Sequence, residues 1–141
     1  MKNTNTNSPS FDQFVCVGDT IEIERDGFVF TATIEHDQDA QIDDDDCHNV
    51  DQSVTGCDDG QQERLLAARA SWFADGWFYC CISVNASRKG IDLGAVASLC
   101  SIEANYPGSD NAYLTEVALA LVAEGMGTAR AALDELRELV A

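Results

Sequence analysis

At 141 residues the chain has the size of one domain, and its 45% hydrophobic content is enough for a buried core. Acidic residues outnumber basic ones 25 to 8, giving a formal net charge of −17, and lysine occurs only as Lys2 and Lys89. Such a chain repels nucleic acid and anionic membranes and attracts basic surfaces, and it has no run of about 18 apolar residues that could span a bilayer.

Residues 1–11, rich in Asn, Thr and Ser and without apolar periodicity, are expected to form a disordered tail, with one domain over residues 12–141. No secretory leader precedes it, so a cytoplasmic protein with six reduced, mostly buried thiols is expected. Cys80 and Cys81 are neighbours on one strand and point to opposite faces, so no disulfide is expected at either.

The first ordered elements form a hairpin. Thr20 to Arg25 alternates, Asp26-Gly27 makes a tight turn, and Phe28 to Ile34 alternates back. Phe28, Phe30, Ala32 and Ile34 then share one face, opposite Ile21 and Ile23. Residues 35–63 break this pattern with many carboxylates, few apolar residues and no Lys or Arg, which predicts a long acidic loop.

A short helix is predicted from Asp59 or Gly60 to Ala74, with Leu65, Leu66, Ala68, Ala70, Trp72 and Phe73 as its core candidates. Trp77 to Asn85, aromatic and β-branched, reads as a central strand with Phe78, Cys80, Ile82 and Val84 on one face. Ser87 to Gly90 turns it, Ile91 to Ile102 pairs with it, and Gly94 is a candidate bulge. Pro107-Gly108 predicts a type II turn, after which Ser109, Asp110 and Asn111 can cap a helix. Leu114, Val117, Ala118, Leu121 and Val122 give that helix an apolar face. Gly125 and Gly127 predict a kink or a break, with Ala129, Ala132, Leu133, Leu136 and Val140 turned inward beyond it. The order β-β-α-β-β-α predicts an α+β fold: a single antiparallel sheet of about four strands with helices packed on one face.

The cassette Trp77-Phe78-Tyr79, Ile91-Asp92-Leu93-Gly94 and Ile102 to Ala118 (I-E-A-N-Y-P-G-S-D-N-A-Y-L-T-E-V-A) resembles a family of small acidic proteins carried by bacteriophages and plasmids. The resemblance covers roughly residues 62–124. It transfers no functional residue, but it implies a mobile-element origin. Small acidic proteins from such elements are often inhibitors of host defence, including anti-CRISPR and anti-restriction proteins.

Charge then suggests a mode of action. A nucleic-acid groove lined with Lys and Arg can be filled by a rigid surface of carboxylates. The candidate contacts are Glu22 and Glu24 on the hairpin, and Asp37, Asp39, Asp43, Asp44, Asp45, Asp46, Asp51, Asp58 and Asp59 in and beside the acidic loop. Tyr106 and Tyr113 are added as aromatic contacts that turn chemistry alone does not explain. The expected function is a non-enzymatic inhibitor of a nucleic-acid-handling host complex, such as a CRISPR effector. Its partner would be a basic nucleic-acid-binding protein or ribonucleoprotein, with a second copy of the chain as a further candidate, and neither nucleic acid nor membrane bound directly. The alternative is a small ligand-binding or dimerising module that uses the crevice between sheet and helix.

Other chemistries are weaker. Cys47, His48 and Cys57 with Cys80 or Cys81 could surround zinc, but no C-x-x-C pair is present. Asp37-x-Asp39 opens like a calcium loop, yet Ile42 stands where that loop needs Gly and His48 where it needs Glu. Neither His36 nor His48 lies in a recognisable nucleophile motif. No catalytic residue, metal or cofactor is assigned.

Overall fold

The structure is a computed structural model that describes residues 9–40, 59–74 and 76–140. Its elements are β1 (Thr20–Arg25), β2 (Phe28–His36), α1 (Asp59–Phe73), β3 (Phe78–Arg88), β4 (Ile91–Ala104) and α2 (Ala112–Val140). The four strands form one antiparallel sheet in the order β1-β2-β3-β4, and with the two helices this is an α+β fold.

Both hairpins turn on two residues in the left-handed region. Asp26 and Gly27 have φ of 53° and 83°, Lys89 and Gly90 have 52° and 82°, and the flanking pairs are Arg25 with Phe28 and Arg88 with Ile91. Two successive positive φ values mark the tight turn whose twist matches that of its strands. Register follows: Ile21 faces Ala32, and Ile23 faces Phe30. Between β3 and β4 the ladder slips three times, including beside Gly94 (φ 89°) and between Cys80 and Ile82, opposite Ser101 (φ 62°). The slip at Gly94 is the bulge its sequence position suggests.

One face of the sheet is apolar and carries α2. Phe30, Ile34, Ile82, Val84, Leu114, Val15 and Val122 are its largest fully buried apolar side chains. The helix is not interrupted at Gly125 or Gly127; it runs unbroken for 29 residues. Gly125 is buried against β4, and a Cβ there would meet Val96 Cγ2 at 2.6 Å. The residue therefore serves close packing of helix on strand rather than a break. Beyond it Ala129 is buried and Ala132, Leu133 and Leu136 are half-buried, but Val140 is exposed because the last turn has passed the sheet.

The turn before α2 is built as expected at its tip and differently at its base. Ser109 N–H closes the turn onto the Tyr106 carbonyl at 2.9 Å, with Gly108 at φ 84°. Asp110 Oδ1 accepts from Ala112 N–H at 3.0 Å, and Ser109 Oγ from Asn111 N–H at 3.0 Å. Asn111 does not cap with its side chain. It is buried, accepts from Asn105 N–H (2.9 Å), and donates to the Gln13 carbonyl and Asn105 Oδ1 (both 2.8 Å). Asn105 in turn clamps both backbone groups of Val15 at 2.9 Å. This amide pair ties the segment before β1 to the turn, and Phe11 N–H adds a bond to Thr115 Oγ1 at 2.9 Å.

In α1 the core candidates divide. Ala68 is buried, Trp72 half-buried, and Leu66 and Ala70 are exposed; the side chains of Leu65 and Phe73 lie outside the described residues. The helix meets the sheet at one end, where Trp72 packs on Trp77 and Tyr79 with ring centroids 5.1 and 5.4 Å away. Tyr79 points away from α2, so α1 covers the Tyr79 end of the opposite face, and the two helices do not share one face as expected. Trp77 is buried and donates its indole N–H to the Ala68 carbonyl at 2.7 Å.

Candidate functional site on the open face of the sheet

Strand alternation sends every second side chain away from α2. On β1 these are Thr20, Glu22 and Glu24; on β2 Val29, Thr31, Thr33 and Glu35; on β3 Tyr79, Cys81, Ser83, Asn85 and Ser87. The register lines them up in rows across the sheet. Glu24, Val29, Ser87 and Asp92 form one, Glu22, Thr31, Asn85 and Ala95 the next, and Thr20, Thr33, Ser83 and Ser98 a third. Glu35 lies opposite Cys81 and accepts from Ser83 Oγ at 3.0 Å.

The strands contribute carboxylates to this face at Glu22, Glu24, Glu35, Asp92 and Glu103, and no Lys or Arg. The strand arginines fall on the other parity. Arg25 follows Ile21 and Ile23, and Arg88 lies over the Phe28 ring, 5.1 Å from its centroid, while donating to the Asp26 carbonyl at 3.0 Å. Arg130 of α2 pairs with Asp26 at 2.8 Å, and Arg137 lies 3.7 Å from Asp134. Arg88, Arg130 and Arg137 line one cavity of about 260 Å³ at this end of the helix, together with Asp26 and Asp134. The strands therefore present carboxylates and no Lys or Arg on the face away from α2, while α2 carries Arg130 and Arg137 among Glu116, Glu124, Asp134, Glu135 and Glu138.

The sequence candidates distribute unevenly over this geometry. Glu22 and Glu24 lie exposed on the open face, and Asp39 is exposed just beyond β2. Asp37 is buried: its Oδ1 accepts from Asp39 N–H at 3.1 Å and its Oδ2 from Ser101 N–H at 2.8 Å, while its own N–H donates to the Tyr79 carbonyl at 3.0 Å. Its carboxylate holds backbone together instead of meeting a partner. Asp43, Asp44, Asp45, Asp46, Asp51 and Asp58 lie outside the described residues, as does the side chain of Asp59, which opens α1. Tyr106 stacks edge-on against Trp77 at 4.8 Å and belongs to the aromatic end of the sheet. Tyr113 packs against the core, and its hydroxyl has no hydrogen-bond partner among the described residues. Burial, then Glu103 and Cys80, push the phenol up to about 12. Glu35, Asp92 and Glu103 are the face residues that sequence reasoning left out; the pairing register reveals them.

The thiols correct the expectation of no disulfide. Cys81 is bonded to Cys100, with Cα atoms 3.9 Å apart. The divergence of Cys80 and Cys81 argues only against their pairing with each other. It leaves a cross-strand partner open, and β4 supplies one on the face where Cys81 points. Cys80 is free and buried, and burial, then Asp37, push its thiol up to about 12. Cys16 is free and exposed. Of the zinc candidates, Cys47, His48 and Cys57 lie outside the described residues. No helix among the described residues is long and apolar enough to cross a membrane. Comparison of the chain with protein families, curated proteins and solved structures finds no match.

Proposed function

We propose that the protein is a non-enzymatic inhibitor that seats its open, acidic sheet face on the basic nucleic-acid-binding surface of a partner protein or ribonucleoprotein, in the place of DNA or a guide-paired strand. The observation that carries this reading is the set of carboxylates on the outward positions of the strands. Glu22, Glu24, Glu35 and Asp92 stand on a face to which the strands bring no cation, while Arg88 and Arg130 are held on the other side. A face of one sign steers a basic partner and rejects polyanions, and its strength depends on salt. The acidic segment containing Asp43 to Asp46 follows β2 in the chain and contributes to its net charge of −17. The resemblance to phage and plasmid proteins supplies the setting, a defence complex of a bacterial host.

The test is capture from a bacterial lysate with immobilised wild type and with the Glu22→Gln/Glu24→Gln/Glu35→Gln variant. Wild type should retain a basic nucleic-acid-binding complex at low salt and release it to high salt or to duplex DNA. The variant should associate about tenfold more slowly. Undiminished capture by the variant would remove the face from the mechanism. A parallel Asp43→Asn/Asp44→Asn/Asp45→Asn/Asp46→Asn variant reports the contribution of that acidic segment separately.

A further inference from the structure

We infer that the reduced form of this protein binds one divalent cation of the zinc class through Cys81 Sγ, Cys100 Sγ and a carboxylate oxygen of Asp37. One ligand atom from each of these residues lies within 4.8 Å of the others. Two thiolates and one carboxylate form a borderline-soft donor set, and three protein ligands leave the fourth tetrahedral position to water or to a partner's side chain.

The carboxylate is built in rather than incidental. Asp37 is buried and gripped from both sides, Oδ1 by Asp39 N–H and Oδ2 by Ser101 N–H. Each oxygen keeps a lone pair for a cation, and the two N–H groups fix the direction in which it points. Metal sites hold their ligands by such outer partners. Strand β4 bends to make this possible. Its register slips between the partners of Cys80 and Ile82, and Ser101 takes φ 62°. That bulge sends the Ser101 N–H to Asp37 and sets Cys100 across from Cys81.

Disulfide and cation exclude each other. The bonded sulfurs offer no thiolate. Two sulfurs each about 2.3 Å from a tetrahedral zinc ion stand about 3.7 Å apart. Exposed Cys100 has the room to make that change by rotating its side chain. Opening requires a dithiol reductant, which becomes a disulfide and delivers two electrons and two protons to Cys81 and Cys100. The cation then takes both sulfurs as thiolates and releases those two protons to solvent. Unfilled, the site gathers up to three negative charges in a chain of net −17, and a divalent cation offsets two of them.

Cobalt(II) is the probe. The full chain is reduced, the reductant is removed without air, and cobalt is titrated in while thiolate-to-metal charge transfer is followed in the near ultraviolet. The inference expects one equivalent bound with tetrahedral d–d bands in the reduced chain, and no such bands in the oxidised chain, which differs only at the sulfurs. Cys100→Ser should abolish the charge transfer. Asp37→Asn should weaken binding more than about a hundredfold, beyond the loss of one outer-shell partner. A Cys47→Ser/Cys57→Ser variant should bind as wild type does. Cobalt bands that survive Cys100→Ser and vanish in Cys47→Ser/Cys57→Ser would overturn the assignment, as would equal binding by oxidised and reduced wild type. Circular dichroism of each variant reports its fold, and the oxidised–reduced comparison needs no substitution at all.

Discussion

The two faces of this sheet are made from the same strands and obey opposite rules. Toward α2, Ile34, Ile82 and Val84 are fully buried, and packing decides what each position tolerates. Away from it, Glu22, Thr31, Ser83 and Asn85 stand in rows whose side chains answer to charge and solvent. One residue along a strand separates the two regimes. Along these rows packing acts on one side and the other is free to carry recognition, since surface changes usually move stability by no more than about 0.5 kcal/mol. The Cys81–Cys100 disulfide and the Trp72–Tyr79 contact, by contrast, fix the far end of the same open face.

The largest effect that could break this comparison lies at two neighbours on β3. Ile82→Ala should cost about 2–5 kcal/mol, the range for emptying a buried aliphatic site. Ser83→Ala, which loses one exposed bond to Glu35, should change stability by about 0.5 kcal/mol or less. Urea denaturation of both proteins measures the gap. Comparable losses would mean that the open face is covered by something that bears load.

A smaller pair sharpens the covered side itself. Gly125 and Gly127 are two residues apart on α2, and each would gain about 1 kcal/mol of helix propensity as alanine. At Gly127 nothing lies within 4 Å of the added carbon, so Gly127→Ala should stabilise by about 0.4–1 kcal/mol. At Gly125 the new carbon meets Val96 Cγ2 at 2.6 Å and Val96 Cβ at 3.1 Å. Overpacking of that kind costs about 1–3 kcal/mol, which outweighs the propensity gain. Thermal melts should move in opposite directions, and a shared direction would mean that helix and strand can part at Val96 without cost.

Those glycines also show what the sequence could and could not reveal. Both hairpins were legible from Asp26-Gly27 and from Ser87 to Gly90, because turn chemistry is local and strand alternation fixes the faces on either side. The second turn nevertheless takes only Lys89 and Gly90, and the strand runs on to Arg88. Periodicity likewise identified the buried face of α2 at Leu114, Ala118, Leu121 and Val122. A glycine in a helix, by contrast, reads as a break until the element pressed against it is known. Gly125 needed Val96, 29 positions upstream, to be understood. The same limit applies to the candidate site. The alternation of Glu22 and Glu24 was visible, but the burial of Asp37 depends on Ser101 across the bulge, and the fate of Cys81 on Cys100. Asn111 looked like a cap from its position, whereas its side chain is spent on Asn105 and Gln13, contacts between segments that no local pattern connects.

A small effect is also expected at neutral pH at Tyr113, where a polar atom is trapped on the covered side. Its hydroxyl makes no hydrogen bond among the described residues, and removing an unsatisfied buried group is close to neutral or mildly stabilising. Tyr113→Phe should therefore leave stability at pH 7 within about 1 kcal/mol of wild type, on the stabilising side. High pH is where the two proteins should part. In the folded chain the phenol titrates near 12, raised from 10.0 chiefly by burial and then by Glu103 and Cys80. As pH passes 10, the unfolded chain sheds this proton while the folded chain still holds it, so the folded state binds more protons and wild-type stability falls toward pH 12. Below 10 the tyrosine adds no slope. Tyr113→Phe lacks this group and should lose stability less steeply over the same interval, so the difference between the two curves isolates it from every other titration. Parallel curves from pH 9 to pH 12 would place the phenol in water and move the boundary between the two faces inward at the start of α2.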